Sequence, residues 1–213
     1  LTAAVGTAFR APDATDRFGF GGNAALDPER SKNVELGLRH RVSPGHVLGL
    51  SAFDNRIDDL IQFVTVSFSP FRGENRNVDR ARIRGVEASW QYDSPDWSAN
   101  ATASRQQPED RKTGARLLRR AEQSYTLALA RRVGRHEIGA DALVSGDRED
   151  FGFPRPVRLG GYSIVNLHAR LALTPAWTVQ ARLENALDRR YELANGFNTM
   201  RRAVMVATRY SFR

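Results

Sequence analysis

Alternation of apolar and polar residues, interrupted by connections that are long and short in turn, limits this chain more than any other feature. In "AWTVQARLENALDRRYE", residues 176–192, Trp177, Val179, Ala181 and Leu183 share one face of a strand. Thr178, Gln180, Arg182 and Glu184 share the other, and the pattern then stops. The same period recurs as Val34, Leu36, Leu38; as Val86, Ala88, Trp90; as Tyr125, Leu127, Leu129; and as Val165, Leu167, Ala169. It predicts ten strands, near 1–10, 32–42, 46–65, 77–92, 97–106, 118–131, 136–146, 159–173, 177–185 and 200–212. Short turns at 43–46, 93–96, 132–135 and 174–176 carry Pro, Gly, Asp and Ser, the residues that tight turns require. Long connections, near 11–31, 66–76, 107–117, 147–158 and 186–199, alternate with them. All long connections therefore fall at one end of the sheet and all short turns at the other, as in an outer-membrane barrel.

Strand length supports the same reading. Several runs exceed the roughly 9–11 residues that cross a bilayer, whereas strands of soluble proteins average about 5–6. No stretch approaches the roughly 18 consecutive apolar residues of a membrane helix, so only a β route into a membrane is open. A hydrophobic content of 41%, a charged content of 26% and a mean hydropathy of −0.48 resemble a soluble protein. They agree equally with a barrel, half of whose strand residues face a polar interior. Trp90, Tyr92, Trp97, Trp177, Tyr210 and Phe212 cluster near short turns, as an interfacial aromatic girdle would.

The absence of cysteine excludes a disulfide scaffold, a zinc–cysteine site and a thiol nucleophile. The net charge of +8 permits nucleic-acid binding, but the basic residues are dispersed and only "RLLRR" at 116–120 is dense, so no nucleic-acid partner is expected. The opening "LTAAVGTAFRAP" lacks the charged start and apolar core of a signal peptide and begins inside a strand, which suggests a fragment. "DPERSKNVELGL" has Pro28 at a helix-start position but follows period two, so a loop running into a strand is expected.

Several segments resemble those of TonB-dependent outer-membrane receptors, in the same order: "GTAFRAP" at 6–12, "LDPERSKNVELGL" at 26–38, "FDNRIDDLIQF" at 53–63, "NVDRARIRGVEASWQY" at 77–92, "LENALDRRYE" at 183–192 and "ATRYSF" at 207–212. Within that family "LLRRAEQ" at 117–123 is most similar to cobalamin receptors. The resemblance implies an all-β, antiparallel transmembrane barrel of about 22 strands with a plugged lumen. This chain, residues 1–213, would be the C-terminal portion of that barrel domain, without the plug. It further implies a bacterial outer-membrane location, lipid contact, a monomer, energising by the TonB complex through the plug, and active uptake of a bulky small molecule. Cobalamin is the preferred cargo and a ferric siderophore the next. No resident cofactor is implied, and calcium is not indicated. One departure is that Phe212 is followed by Arg213, whereas family members end on the aromatic itself. The motif residues singled out by the resemblance are Phe9, Arg10, Pro12, Pro28, Glu29, Gly85, Glu87, Asn185, Asp188, Tyr191 and Phe212.

The same residues have physical readings. Gly85 allows a bulge or close backbone approach. Glu87 is expected to face inward, neutralised by Arg82 or Arg84. Asn185 and Asp188 are expected to end the strand through side chain–backbone bonds. Asp54, Asp58 and Asp59 read as a solvated or arginine-paired rim rather than a hydrolytic or calcium-binding cluster, and His40, His46, His136 and His168 lack metal-ligand spacing. No enzyme is expected. Ligand capture should lie in the long connections, where Phe18, Phe20, Asn23, Phe71, Arg72, Phe151, Phe153, Asn195 and Phe197 are the candidates. A passive porin and a soluble β-sandwich binding module are the alternatives.

Overall fold

In the strands, side chains alternate across the sheet, and one register threads most of the chain. The computed structural model describes residues 1–152 and 155–212. Its strands are β1 (Thr2–Arg10), β2 (Glu29–Ser43), β3 (His46–Phe68), β4 (Phe71–Asp93), β5 (Trp97–Asp110), β6 (Gln123–Val133), β7 (His136–Ser145), β8 (Arg148–Asp150), β9 (Val157–Leu159), β10 (Tyr162–Ala172), β11 (Trp177–Glu184) and β12 (Ala203–Tyr210). One short helix, α1 (Ala14–Phe18), lies between β1 and β2. Ten strands form one sheet in the order β1-β2-β3-β4-β5-β6-β7-β10-β11-β12, and β8 pairs with β9 in a separate ribbon. The sheet is an antiparallel meander with β1 and β12 at its edges. No helix among the described residues is long and apolar enough to cross a membrane.

Short turns are built by the residues the sequence placed there. Gly45 and Gly134 take φ of +80° and +59°, which a residue without Cβ adopts without strain. Thr174 Oγ1 accepts the amides of Ala176 and Trp177 at 3.3 and 3.0 Å, and Ser94 Oγ accepts that of Trp97 at 3.0 Å.

The opposite ends depart from expectation. The connection expected over 66–76 is strand almost throughout, with β3 and β4 meeting across Ser69 and Pro70. Asn75 reads as a loop residue but is held by another connection: its amide donates to Gly21 O at 2.6 Å and its Nδ2 to Asp16 O at 3.1 Å. The strand expected from 118 begins only at Gln123, because Arg119 sits at φ +59° and donates its amide to Glu149 O. Helix α1 and the β8–β9 ribbon were not foreseen. Helix α1 is started by Asp13, whose carboxylate accepts the Asp16 amide while Asp16 returns a bond to the Asp13 amide. Pro28 directly precedes β2, in keeping with a loop running into a strand.

The described chain packs as two units. One comprises Leu1–Gly37, Ser51–Gly85 and Gln106–Leu117. Its buried centre is small: Leu60, Ala81, Ile83 and Leu117, flanked by Phe53 and Ile57. Val5, Val34 and Leu36, in register between β1 and β2, remain exposed. The other unit comprises Leu38–Leu50, Val86–Arg105 and Leu118–Arg213. Here Leu127, Leu129, Leu167, Leu171, Val204 and Val206 are exposed along one face. Contiguous apolar surface on this scale marks a face made for another phase or partner. Near its turns, His46 stacks on Tyr92 with centroids 4.3 Å apart, Arg131 covers Trp97 at 5.4 Å, and Tyr210 meets Phe212 edge-on at 4.9 Å.

Neutralisation of Glu87 by Arg82 or Arg84 is not observed. Arg82 binds Asp54, and Arg84 Nε donates to Gln107 Oε1 at 2.8 Å. Gly85 lies within β4.

Candidate functional site

Arg10 organises the first long connection in the first unit. Its Nε and one terminal nitrogen donate to Glu29 Oε2 and Oε1, both at 2.9 Å, and the other donates to Asp16 at 2.9 Å. Glu29 Oε1 also accepts the Ile61 amide at 2.9 Å. The end of β1, helix α1, the start of β2 and the interior of β3 are thus tied through three side chains, with the Arg10 fork meeting the planar Glu29 carboxylate. The sequence motifs around Arg10 and Glu29 have this as their physical content. Phe9 is exposed and pairs across the strands with Arg30, while Pro12 leads into the α1 cap.

This clamp presents an aromatic stack. Phe20 lies 6.0 Å from Phe63 and 6.1 Å from Phe71, with the Phe20 and Phe71 planes only 2° apart, and Phe63 lies 6.4 Å from Phe71. Phe20 remains 76% exposed, so the stack offers a ring face outward. Gly21 makes the approach possible. At φ +68° it brings backbone so close that a Cβ there would meet the Phe63 ring at 2.5 Å and Gly73 O at 2.6 Å. Asn23 is a structural residue of this cluster: its Nδ2 donates to Asn75 O at 3.1 Å and its Oδ1 accepts the Ala25 amide at 3.0 Å. Phe18 and Arg72 are exposed and stand outside the stack.

A second cluster stands in the other unit. Asp150, with no exposed surface, accepts Arg119 Nε at 2.6 Å and the Asn195 amide at 2.5 Å. Asn195 Nδ2 donates to Phe151 O at 3.2 Å, and the Arg119 guanidinium lies 5.1 Å from the Phe151 ring centre. Burial pushes the Asp150 carboxyl up, but the Arg119 bond and the Asn195 and Phe151 amides outweigh it and hold it below the usual range. The sequence placed Phe151 and Asn195 here as ligand contacts; the structure makes Asn195 a fastener and leaves Phe151 partly open. Phe153 lies outside the described residues. Phe197 is exposed, without a ring partner among the described residues.

The connection after β11 is closed by its own side chains. Asn185, at φ +47° and almost fully buried, accepts the Arg189 amide at 2.8 Å and donates to Arg189 O at 2.9 Å and Met200 O at 3.3 Å. Asp188 accepts Arg201 Nε at 2.8 Å and the Arg202 amide at 3.1 Å. The Arg201 bond, followed by the Arg202 amide, lowers the Asp188 pKa from the usual 3.8 to about 2. Asn185 thus bonds its own local backbone where β11 ends, whereas Asp188 ties the connection to Arg201 and Arg202, 13 and 14 residues on. Tyr191 stacks on Tyr162 at 4.3 Å, which itself lies under Arg148 at 5.2 Å.

Sequence reasoning missed Phe63, Arg119 and Asp150. Phe63 fell within an alternating strand, and Arg119 was read only as bulk basic charge. Asp150 gave no signal, because its role arises from contacts 31 and 45 residues away. Among the described residues no three His, Asp or Glu side chains are grouped to hold a metal ion.

A ten-stranded antiparallel meander with an exposed apolar face and side chain-tied connections is the architecture of a barrel wall. The chain belongs to the TonB dependent receptor-like β-barrel family, whose model matches residues 1–186. Its structure is similar to that of the copper transporter OprC, with a TM-score of 0.81 at 18% identity over 99% of this chain and 38% of that one. The siderophore receptor PirA from Acinetobacter baumannii superposes with a TM-score of 0.77, again at 18% identity, over 99% of this chain and 38% of its own. The pyoverdine outer membrane receptor FpvA from Pseudomonas aeruginosa gives 0.75 at 18% identity, over 99% and 33%. The chain spans less than two fifths of the length of these structures.

Proposed function

We propose that this chain forms part of the wall and the external connections of an outer-membrane receptor that takes up a scarce, bulky nutrient. The TonB complex would energise uptake through a plug that this chain does not contain. The parent protein is a transporter and not an enzyme. The observation that carries the reading is the open face of the Phe20–Phe63–Phe71 stack, fixed in place by the Arg10–Glu29 clamp. An exposed, pre-ordered aromatic surface suits a large, partly apolar ligand, because little ordering entropy remains to be lost on binding.

For the cargo, a ferric siderophore now has more support than cobalamin. Cobalamin was favoured by "LLRRAEQ", yet Leu117 of that segment is buried in the small core and Arg119 holds Asp150, so folding accounts for the motif. PirA and FpvA are named as siderophore and pyoverdine receptors. The test is equilibrium binding of ferric pyoverdine and of cyanocobalamin to the full-length parent in outer-membrane vesicles. Saturable siderophore binding, weakened by Phe20→Ala and Phe71→Ala, supports the reading. Tight cobalamin binding that ferric siderophores fail to displace moves the cargo to cobalamin. Accumulation of cargo in energised cells at an equal rate without TonB sinks the active mechanism.

A further inference from the structure

One face of the first unit changes character abruptly along its strands. On β2, Leu36 and Val34 are apolar and exposed, and the next residues on that face are Lys32 and Arg30. The registered neighbours on β1 are Ala3, Val5, Thr7 and Phe9. On β3 the same face carries Asp54, Arg56 and Asp58, and on β4 Arg84, Arg82 and Arg80; the ion pairs Arg82–Asp54 and Arg80–Asp58 show that these rows adjoin. Arg84 meets Gln107 of β5, and the Arg111 amide donates to Arg80 O. Lys32, Arg56, Arg80, Arg82 and Arg111 line, with Asp58, one shallow cavity of about 380 Å³.

Asp54 and Asp58 offset only part of that charge, and Lys32 has no ion-pair partner among the described residues. Arg56 and Arg80 keep 66% and 76% of their side-chain surface exposed. Arginine on a lipid-facing position is costly at depth and tolerated toward the interface. A row of such residues immediately beyond an apolar band therefore sits at headgroup level. Guanidinium forks match phosphate oxygens in pairs.

We infer that this cavity binds the phosphate groups of a phosphorylated lipid whose acyl chains lie along Val5, Val34 and Leu36. Lys32, Arg80 and Arg111 are the phosphate contacts, and the Arg82–Asp54 pair fixes the floor. The occupant is a membrane lipid because the apolar band and the basic cavity are consecutive on one strand face. A free anion would use only the second. The site is separate from the aromatic stack, and it rests on the membrane-barrel reading of the chain.

The test uses the full-length parent purified in dodecyl maltoside and native mass spectrometry with diphosphoryl lipid A. Dephosphorylated lipid A and inorganic phosphate serve as separate probes. The wild type is expected to retain the diphosphorylated lipid preferentially. The triple variant Lys32→Gln, Arg80→Gln, Arg111→Gln should bind it on the order of a hundredfold more weakly, with heat-modifiable migration and cargo binding unchanged. Equal retention of both lipids, or an undiminished affinity in the folded variant, overturns the site. Displacement of the lipid by millimolar inorganic phosphate alone also overturns the lipid assignment. Failure of the parent to insert into liposomes overturns the membrane reading itself, a result distinct from insertion without lipid preference.

Discussion

Arg10 and Glu29 meet fork to fork, both bonds at 2.9 Å, and Glu29 extends the link to the Ile61 amide. Two residues at opposite ends of a long connection thereby hold three strands and the capping helix. The pair should couple measurably in a double-mutant cycle of Arg10→Ala and Glu29→Ala. Because Arg10 is 47% exposed, the coupling should be modest, about 1 kcal/mol. Each single variant should also expose 13–28 to added protease in vesicles. Additive effects of the two substitutions, with the connection still protected, would contradict the clamp.

Asp150 makes a sharper case, since it has no exposed surface and gathers partners from Arg119 and Asn195. Asp150→Asn replaces one acceptor oxygen by a donor aimed at donors, and should cost roughly 1–3 kcal/mol of local stability. Hydrogen exchange should quicken in peptides covering 147–152 and 192–198, while β6 and β7 stay protected. Unchanged exchange at 192–198 would show that the clasp does not govern that connection.

Acid should open the connection after β11 in a defined window. Asp188 titrates near 2 in the folded chain, below the usual 3.8, so its bonds to Arg201 and Arg202 stabilise the fold above pH 4. That contribution fades as the pH falls from about 4 toward 2. A spin label at Leu193 should gain mobility across this window in the wild type. In Asp188→Asn the mobility should already be high at neutral pH and lose its acid step. A wild-type label indifferent to acid would argue against the pair.

Asn185 joins two requirements, a φ of +47° and three side-chain hydrogen bonds at a buried position. Asn185→Ala satisfies neither and should lower the temperature at which the receptor loses its fast-migrating folded form on gels. Asn185→Gly restores the backbone freedom alone and should recover part of the loss, on the order of 1 kcal/mol. Equal behaviour of the two variants would assign the whole effect to the side chain.

The strands were legible because each needs only local alternation and a turn residue, as Gly45, Gly134 and Thr174 illustrate. Register followed from the pattern, since a slip by one residue would invert every face. The connections were less legible. Asn75 carries loop chemistry yet extends β4, because Gly21 and Asp16 supply its partners from 54 and 59 residues away. Of the ligand candidates, the structure brings Phe20 and Phe71 together as exposed, stacked rings. Phe63 was hidden by its strand, and the bonds of Asn195 to Asp150 and Phe151 were illegible because those partners lie 45 and 44 residues away.

The side chain clamps described above use arginine throughout, and the chain has only two lysines, Lys32 and Lys112. A guanidinium keeps its charge far above neutrality, so it is acid, by protonating the carboxylates, that unfastens such pairs first. Amine-reactive reagents spare the clamps. Among side chains they report on two positions, one of them in the basic cavity, which makes Lys32 a built-in footprinting probe for whatever covers it.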